Sequence, residues 1–409
     1  MRVLHINSSD LDGGAARASY RLHRALLDKI DSKMLVQSKV SDDYTVIGPS
    51  SKFQKGIAKI RPTLDSLPVR FYKNREKKIF SPSWLGLSGI IKKINKINPD
   101  IVHLHWICGG MMTIEDIARI KVPIVWSLHD MWAFSSGSHY CSNESYKNSD
   151  GSCAELRSKR RNNLGTRIFK RKQRAYSHIN SMTIIGLSRW LNECSKSSHL
   201  LKNKKHINLP NPIDTNTFKV IDNNIAREIW NLPKDKKLVL FGAMTSTGDK
   251  RKGFRELSSA LNLVSKENIE FVVFGSGCPK NPPSFGFKTH YLGNLNDDAS
   301  LVSLYNAVDV MVVPSLQENL SNAIMESLSC GTPVVGFSIG GNSDMIEHKQ
   351  NGYLVQPFES KDLALGIEWV LDNKNYDELC IRARNKVLNE FDSKFVAERY
   401  IELYREILI

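Results

Sequence analysis

The chain has 409 residues, 41% of them hydrophobic and 24% charged, the make-up of an ordinary globular protein. That length exceeds the size at which single cores stop growing, so two domains are expected. The longest charge-free run, Ser327 to Ser343, is broken by Gly, Ser and Pro, which excludes a membrane-spanning helix. The seven Cys are scattered without a pairing framework, pointing to a reducing, cytoplasmic compartment. Charge is unevenly shared: residues 1–210 hold 36 Lys/Arg against 16 Asp/Glu, a net of +20, and the remainder nets −5. Such asymmetry suggests that the first half faces an anionic partner. No helix-turn-helix, zinc-finger or RNP-like motif is present, so nucleic acid gives way to an anionic membrane surface.

In chain order, Met1–Asn7 reads as a first strand over Arg2–Ile6, because polar residues arrive too soon for a signal peptide. Asp12-Gly13-Gly14-Ala15-Ala16-Arg17 opens a helix over Ala15–Leu27. Its two glycines let the backbone approach a ligand and leave N–H groups unshielded at a helix start. Ser41 to Ser88 is basic and irregular and reads as loops and short helices at a domain edge. Strands follow at Ile101–His105, Ile124–Leu128 and Thr183–Leu187, with helices at Ile114–Ile120 and from Ser188. His105 and His129 fall at strand ends, where a parallel sheet meets its ligands. His103 and His105 share one strand face and read first as packing residues. Imidazole at His129 can hydrogen-bond a substrate or take a proton. Arg157 to Arg174 carries nine basic residues and no acid, interleaved with Leu164, Ile168 and Phe169, and reads as a basic amphipathic helix for an anionic leaflet.

Asn208-Leu-Pro-Asn-Pro-Ile-Asp214 is rich in turn residues and reads as the interdomain linker. The second half supplies strands at Leu238–Phe241, Phe271–Phe274, Val310–Val313 and Pro333–Phe337. Alternating strands and helices throughout argue for two α/β Rossmann-like domains with parallel sheets, residues 1–210 and 211–394. Phe274-Gly-Ser276-Gly277 ends a strand, but so short a glycine pattern is weak evidence for a nucleotide base. Lys250-Arg251-Lys252-Gly253-Phe254 follows one strand, and Glu318 follows another, with Glu326 inside the next helix. Fixed cations can meet the developing charge of a departing diphosphate without a metal. A carboxylate repels phosphate but accepts hydrogen bonds from a sugar diol, so Glu318 and Glu326 beside a helix start suggest a nucleotide-sugar site.

The window Val312 to Val335, with Glu318, Glu326 and the Cys330-Gly331-Thr332-Pro333-Val334-Val335 turn, resembles the signature of retaining GT-B glycosyltransferases of family 4. Glu318-Asn319-Leu320 and Gly340-Gly341-Asn342-Ser343-Asp344 look like the branch of colanic-acid and other surface-polysaccharide transferases. The resemblance implies a GT-B fold, two Rossmann-like domains facing across a cleft, with a last helix (395–409) returning to the first domain. It implies a hexosyl transfer from a UDP- or GDP-sugar to a polyprenyl-linked saccharide, by a peripheral protein at the inner face of the cell membrane. No metal or other cofactor is implied. Glu326 would hold the ribose, Glu318 and His129 the sugar, and Gly13-Gly14 would lie against diphosphate or acceptor. Lys252, Arg251 and the helix start at Asn319, Leu320 and Ser321 would stabilise the leaving diphosphate. Family members often carry an Arg where this chain has Ala243, so Arg251 is expected to supply the second cation. Related sequences also carry several Cys after the His-Asp-Met-Trp segment. Here only His139, Cys141 and Cys153 remain, with Ser138 in place of another Cys, and no structural zinc is expected. Asp10-Leu11-Asp12 copies the metal motif of the other large glycosyltransferase fold, but it sits in the wrong place and reads as chance. A nucleotide-sugar epimerase and a noncatalytic protein of the same fold are the alternatives.

Overall fold

A computed structural model spans the chain and describes every residue except 142–143, 159, 161, 243–248, 266, 276, 279–281 and 296. The chain divides into two units, Met1–Asn211 with Ala397–Ile409, and Pro212–Val396. The junction falls inside the turn-rich Asn208–Asp214 segment. Ala243 and Ser276 lie outside the described residues.

The first unit holds a seven-stranded sheet of β1 (Arg2–Ser9), β2 (Asp31–Ser38), β3 (Val46–Ile47), β4 (Ile101–Leu104), β5 (Ile124–Leu128), β6 (Met182–Gly186) and β7 (Lys205–Asn208). The strand order is β3-β2-β1-β4-β5-β6-β7, and every pairing is parallel. Ile101–Leu104 and Ile124–Leu128 are buried along their whole length, the mark of strands covered on both faces. The helix Ser393–Leu408 crosses from the second unit and ends in the first. Its Tyr404 hydroxyl meets His103 Nδ1 at 2.6 Å, and Tyr400 lies 3.4 Å from Ser127 Oγ.

The basic stretch after Arg157 differs from its sequence reading. Its helix, Leu164–Ser177, turns Ile168, Phe169, Ala175 and Tyr176 into the core and takes Lys172 with them. Lys172 Nζ sits 3.7 Å over the Trp132 ring and bonds the carbonyls of Trp132 and Ser135, and burial pulls its pKa down to about 7. Arg171 pairs with Glu115 at 2.6 Å and caps the Pro82 and Ser83 carbonyls. Lys172 and Arg171 are therefore structural groups of the unit, whereas Arg167, Lys170 and Arg174 of the same helix stay exposed.

The second unit carries β8 (Lys237–Gly242), β9 (Ile269–Phe274), β10 (Thr289–Tyr291), β11 (Val310–Val313), β12 (Val334–Phe337) and β13 (Gly352–Val355). Their order is β10-β9-β8-β11-β12-β13, again all parallel. One core cluster forms around Leu238, Leu240, Met311 and Leu328, and another around Val239, Phe241, Val312 and Val335. Alternate residues of the same strands feed the two clusters, which is how a sheet buried on both faces uses its period of two. In each unit the strand order reverses once, between β1 and β4 and between β8 and β11. Ligands of open α/β sheets bind outside the strand ends at that reversal.

Candidate active site

In the second unit the reversal is flanked by the segment after β8, which holds Lys250–Gly253, and the loop after β11, which holds Pro314–Ser321. Two backbone features lock them together. Leu316 N donates to Arg251 O at 2.7 Å. Gly253, at φ +71, approaches Pro314 so closely that an added Cβ would stand 1.8 Å from its carbonyl oxygen. Only glycine fits there, both for the left-handed φ and for the contact. The locked turn delivers Lys252, whose Nζ reaches Glu318 Oε2 at 2.9 Å, and Ser315 Oγ donates to the same oxygen at 3.2 Å. Lys252 and Glu318 were read as separate groups of one site, and the structure brings them into one ion pair. A small cavity beside them is lined by Phe241, Gly242, Lys252, Pro314, Ser321 and Ala323.

Arg251 is placed differently. Its Nη2 and Nε engage the Asp249 carboxylate at 2.6 and 3.2 Å, and Asp249 also caps the turn by accepting from Arg251 N at 3.0 Å. Burial pushes the Asp249 carboxyl up, but the bonds and charge of Arg251 outweigh it and hold the group below its ordinary value. Arg251 therefore comes with its charge already matched, and Lys252 is the cation turned toward Glu318.

Asn319, Leu320 and Ser321 are buried at the start of the helix Asn322–Ser329, with Ser321 at its N-cap. Glu326 lies on that helix and is 4% exposed, and the Tyr305 hydroxyl donates to its Oε2 at 3.0 Å. Sequence reasoning named neither Tyr305 nor Ser315 nor Asp249. Asp249 was legible as a cap two residues before Arg251, whereas nothing local announces Tyr305, which arrives from a different helix.

The first unit places Gly13 at the N-cap of the helix Gly14–Leu26 with φ +99, and a Cβ there would meet nothing within 4 Å. Glycine is thus demanded by the backbone angle, and no described residue stands over it. Asp10 is not a ligand in waiting. It is buried and accepts from Val40 N, Ser41 N and Ser41 Oγ at 2.8, 2.9 and 2.7 Å, tying the loop after β1 to the one after β2.

His129 ends a chain of imidazoles. His5 Nδ1 lies 3.0 Å from His105 Nε2, and His105 Nδ1 lies 3.1 Å from His129 Nε2. His5 Nε2 is buried without a partner among the described residues. A buried N–H left unbonded costs more than a buried lone pair, which favours His5 donating to His105 and His105 donating to His129. Burial pulls the pKa of His129 down to about 4, with Asp130 pushing it back part of the way, and that of His103 to about 3. His129 is therefore neutral at pH 7, although part of its edge is accessible to solvent. His5, His103 and His105 bring ring nitrogens within 4.8 Å of one another. Yet the His103 and His105 rings stack at 4.3 Å and 25°, and the His103 nitrogens meet Tyr404 and Ser127 hydroxyls. Stacked rings send their in-plane lone pairs past one another, so this is a hydrogen-bonded pile and not a converging ligand set.

His139 does not approach a zinc arrangement with Cys141 and Cys153. Its Nδ1 meets Asp130 Oδ2 at 2.6 Å and its Nε2 meets Ser81 Oγ at 2.8 Å. Trp106 Nε1 adds a bond to the same Asp130 oxygen at 2.9 Å. Burial raises the Asp130 carboxyl, and His139 more than reverses that, so Asp130 stays an anion. Cys153 Sγ instead lies 3.4 Å from Glu155. Burial lifts the Cys141 thiol to about 12 and that of Cys153 further, the condition of packed and inert thiols.

Two parallel doubly wound units, each with a ligand-type loop pair at its reversal, define the GT-B class of folds. Two family profiles match the chain: Glycosyl transferases group 1 over residues 235–373 and Glycosyl transferase 4-like over residues 39–149. The chain thus carries a region of the Glycosyl transferases group 1 type and one of the Glycosyl transferase 4-like type, in a GT-B fold. It is 28% identical over 185 residues to a Campylobacter jejuni N,N'-diacetylbacillosaminyl-diphospho-undecaprenol alpha-1,3-N-acetylgalactosaminyltransferase, covering 44% of this chain and 47% of that one. It is 26% identical over 147 residues to an Escherichia coli UDP-Gal:alpha-D-GlcNAc-diphosphoundecaprenol alpha-1,3-galactosyltransferase, covering 34% of this chain and 37% of that one. The chain thus spans less than half the length of these curated relatives. The sucrose-phosphate synthase of Thermosynechococcus elongatus superposes with a TM-score of 0.70 at 18% identity, over 100% of this chain and 99% of that one, which shows the fold.

Proposed function

We propose that the protein is a retaining, metal-independent glycosyltransferase that moves a hexose-type unit from a UDP- or GDP-sugar to a lipid-linked saccharide during surface-polysaccharide synthesis. The observation that carries this reading is the Lys252–Glu318 pair at 2.9 Å, set at the β8–β11 reversal beside a helix start. An ammonium and helix N–H groups attract the diphosphate, and carboxylates at the same place accept from sugar and ribose hydroxyls. Glu326, steadied by Tyr305, takes the ribose, and Glu318 orients the sugar.

In the reaction the bond from the anomeric carbon to the β-phosphate oxygen breaks, and the acceptor oxygen bonds that carbon from the same face. The acceptor proton passes to the departing diphosphate, whose charge Lys252 meets, with Arg251 next to it. Neutral His129 serves as a hydrogen-bonding group for the sugar, and Gly13-Gly14 leaves room for diphosphate or acceptor. The named acceptors of the Campylobacter and Escherichia relatives, both undecaprenyl diphosphates, support a lipid-linked acceptor here. No helix among the described residues is long and apolar enough to cross a membrane. The net +20 of residues 1–210 supports peripheral attachment to the anionic inner leaflet.

The test is proton NMR of the product formed from an α-linked nucleotide sugar and a polyprenyl diphosphate saccharide. An α-anomeric product is expected, whereas a β-product removes the retaining mechanism. An epimerised sugar formed from donor alone replaces the transferase reading with the epimerase.

A further inference from the structure

Three neighbouring strands of the first unit carry a row of imidazoles that ends at His129. His5 lies in β1, His105 one residue past β4 and His129 one residue past β5. His105 is pinned through its backbone, because its N–H donates to Ile6 O at 3.0 Å and its carbonyl accepts from Trp126 Nε1 at 3.2 Å. Its buried ring stands between the other two, with centroids 5.3 Å from that of His5 and 5.4 Å from that of His129. Asp130, the carboxylate next to His129, is directed elsewhere and accepts from Trp132 N, Trp106 Nε1 and His139 Nδ1. The group that meets His129 Nε2 is His105 Nδ1, at 3.1 Å.

A neutral imidazole has one proton for two nitrogens, so each hydrogen bond in such a row fixes the next ring. Burial keeps all three rings neutral. Two proton arrangements satisfy both contacts. In the first, every proton sits on Nδ1: His5 donates to His105 Nε2, and His105 donates to His129 Nε2. His5 Nε2 is then a bare lone pair in the interior. In the second, every proton sits on Nε2, and His5 buries an N–H that has no partner among the described residues. Orphaned buried N–H groups are rarer than under-bonded acceptors, which selects the first arrangement. We propose that His105 is a positioning residue that holds His129 as the Nδ1–H tautomer, so that His129 meets its ligand as a hydrogen-bond donor to oxygen and not as a general base. A sugar hydroxyl or a phosphate oxygen suits that donor. The part His129 plays toward the sugar rests on the glycosyltransferase reading, whereas the placement of the protons does not.

The test is nitrogen NMR of the full chain labelled with 15N-histidine, at neutral pH and without substrate. Proton–nitrogen correlations across each ring show which nitrogen carries the proton, and the variants His5→Gln and His129→Gln assign the signals. In the wild type His5, His105 and His129 should all be protonated on Nδ1 and bare on Nε2. His105→Phe offers no donor to His129 Nε2, so the His129 proton should return in part to Nε2 and give averaged nitrogen shifts. His105→Asn places an amide N–H where Nδ1–H stood and should keep the His129 proton on Nδ1. Transfer activity should follow the tautomer, falling about tenfold in His105→Phe, the worth of one hydrogen bond, and recovering in His105→Asn. A wild-type His129 protonated on Nε2, or a His129 signal unchanged in His105→Phe, overturns the proposal. Melting temperatures check folding, and should His105→Phe fail to fold, the wild-type pattern still decides. The tautomer is read without substrate, so a chain that transfers no sugar strikes the functional reading and leaves the proton placement standing.

Discussion

At the scale of single residues, the site depends on one lysine and on one glycine that aims it. Lys252→Ala removes the cation nearest Glu318, and kcat/KM should fall by about 10²–10³, the usual loss when one charge-stabilising donor is deleted. Its pairing with Glu318 is partly exposed, so stability should change by less than about 1 kcal/mol. Steady-state kinetics beside a urea melt separates the two effects, and a fall in stability with activity intact would reverse the assignment. Gly253→Ala should affect stability as well as the site. The added Cβ stands 1.8 Å from Pro314 O at a φ of +71, so the turn must move. Left-handed backbone alone costs a non-glycine residue about 1–2 kcal/mol. Both melting temperature and nucleotide-sugar affinity should therefore drop. Tyr305→Phe deletes the hydroxyl bonded to the buried Glu326 carboxylate, a bond to a charged group of about 1.5–3 kcal/mol. Weaker donor binding in calorimetry is expected, and unchanged affinity would detach Tyr305 from the ribose site.

Among elements, the histidine-bearing strands set a pH dependence. β1 and β4 stack His5 and His103 in register, His105 lies just past β4, and His129 follows β5. Burial lowers the pKa of each, to about 4 for His129, about 3 for His103 and well below the ordinary value for His5 and His105. Unfolded imidazoles titrate near 6.5, so between that pH and about 4 the unfolded chain binds more protons than the folded one. The stability these groups contribute is complete above pH 6.5 and is lost as the pH falls toward 4. Thermal melts should thus drop steadily from pH 7 to pH 5, and a flat profile would mean that the imidazoles are already solvated in the native state. The elements that carry this effect were also the legible ones. Buried β-branched runs such as Ile124–Leu128 and Val310–Val313 reach the same ends in sequence and structure. The short edge strands Val46–Ile47 and Thr289–Tyr291 escaped notice, because two or three residues give no period to read. The helix Lys52–Asp65 lies in the stretch read only as loops and short helices, because Pro62 interrupts its pattern.

For the whole molecule, the α/β class and the two parallel-sheet units followed from alternation and from one motif window. The pairing chemistry did not. Lys252 and Glu318 are 66 residues apart and Glu326 and Tyr305 are 21 apart, and each contact exists only because β8 and β11 are neighbours or two helices pack. The places of Lys172 and Arg171 in the basic stretch after Arg157 were hidden for a related reason. Sequence counts charges, but only packing shows that Lys172 lies under Trp132 and Arg171 against Glu115. The central claim is transfer from a nucleotide sugar governed by the Lys252–Glu318 pair. It is tested most directly by supplying a panel of radiolabelled UDP- and GDP-sugars with a polyprenyl diphosphate saccharide and counting label in the lipid fraction. The wild type should label the lipid with one nucleotide sugar, and Lys252→Ala should reduce that rate by at least about a hundredfold. Label transferred equally well by Lys252→Ala, or by no nucleotide sugar at all, would contradict the account.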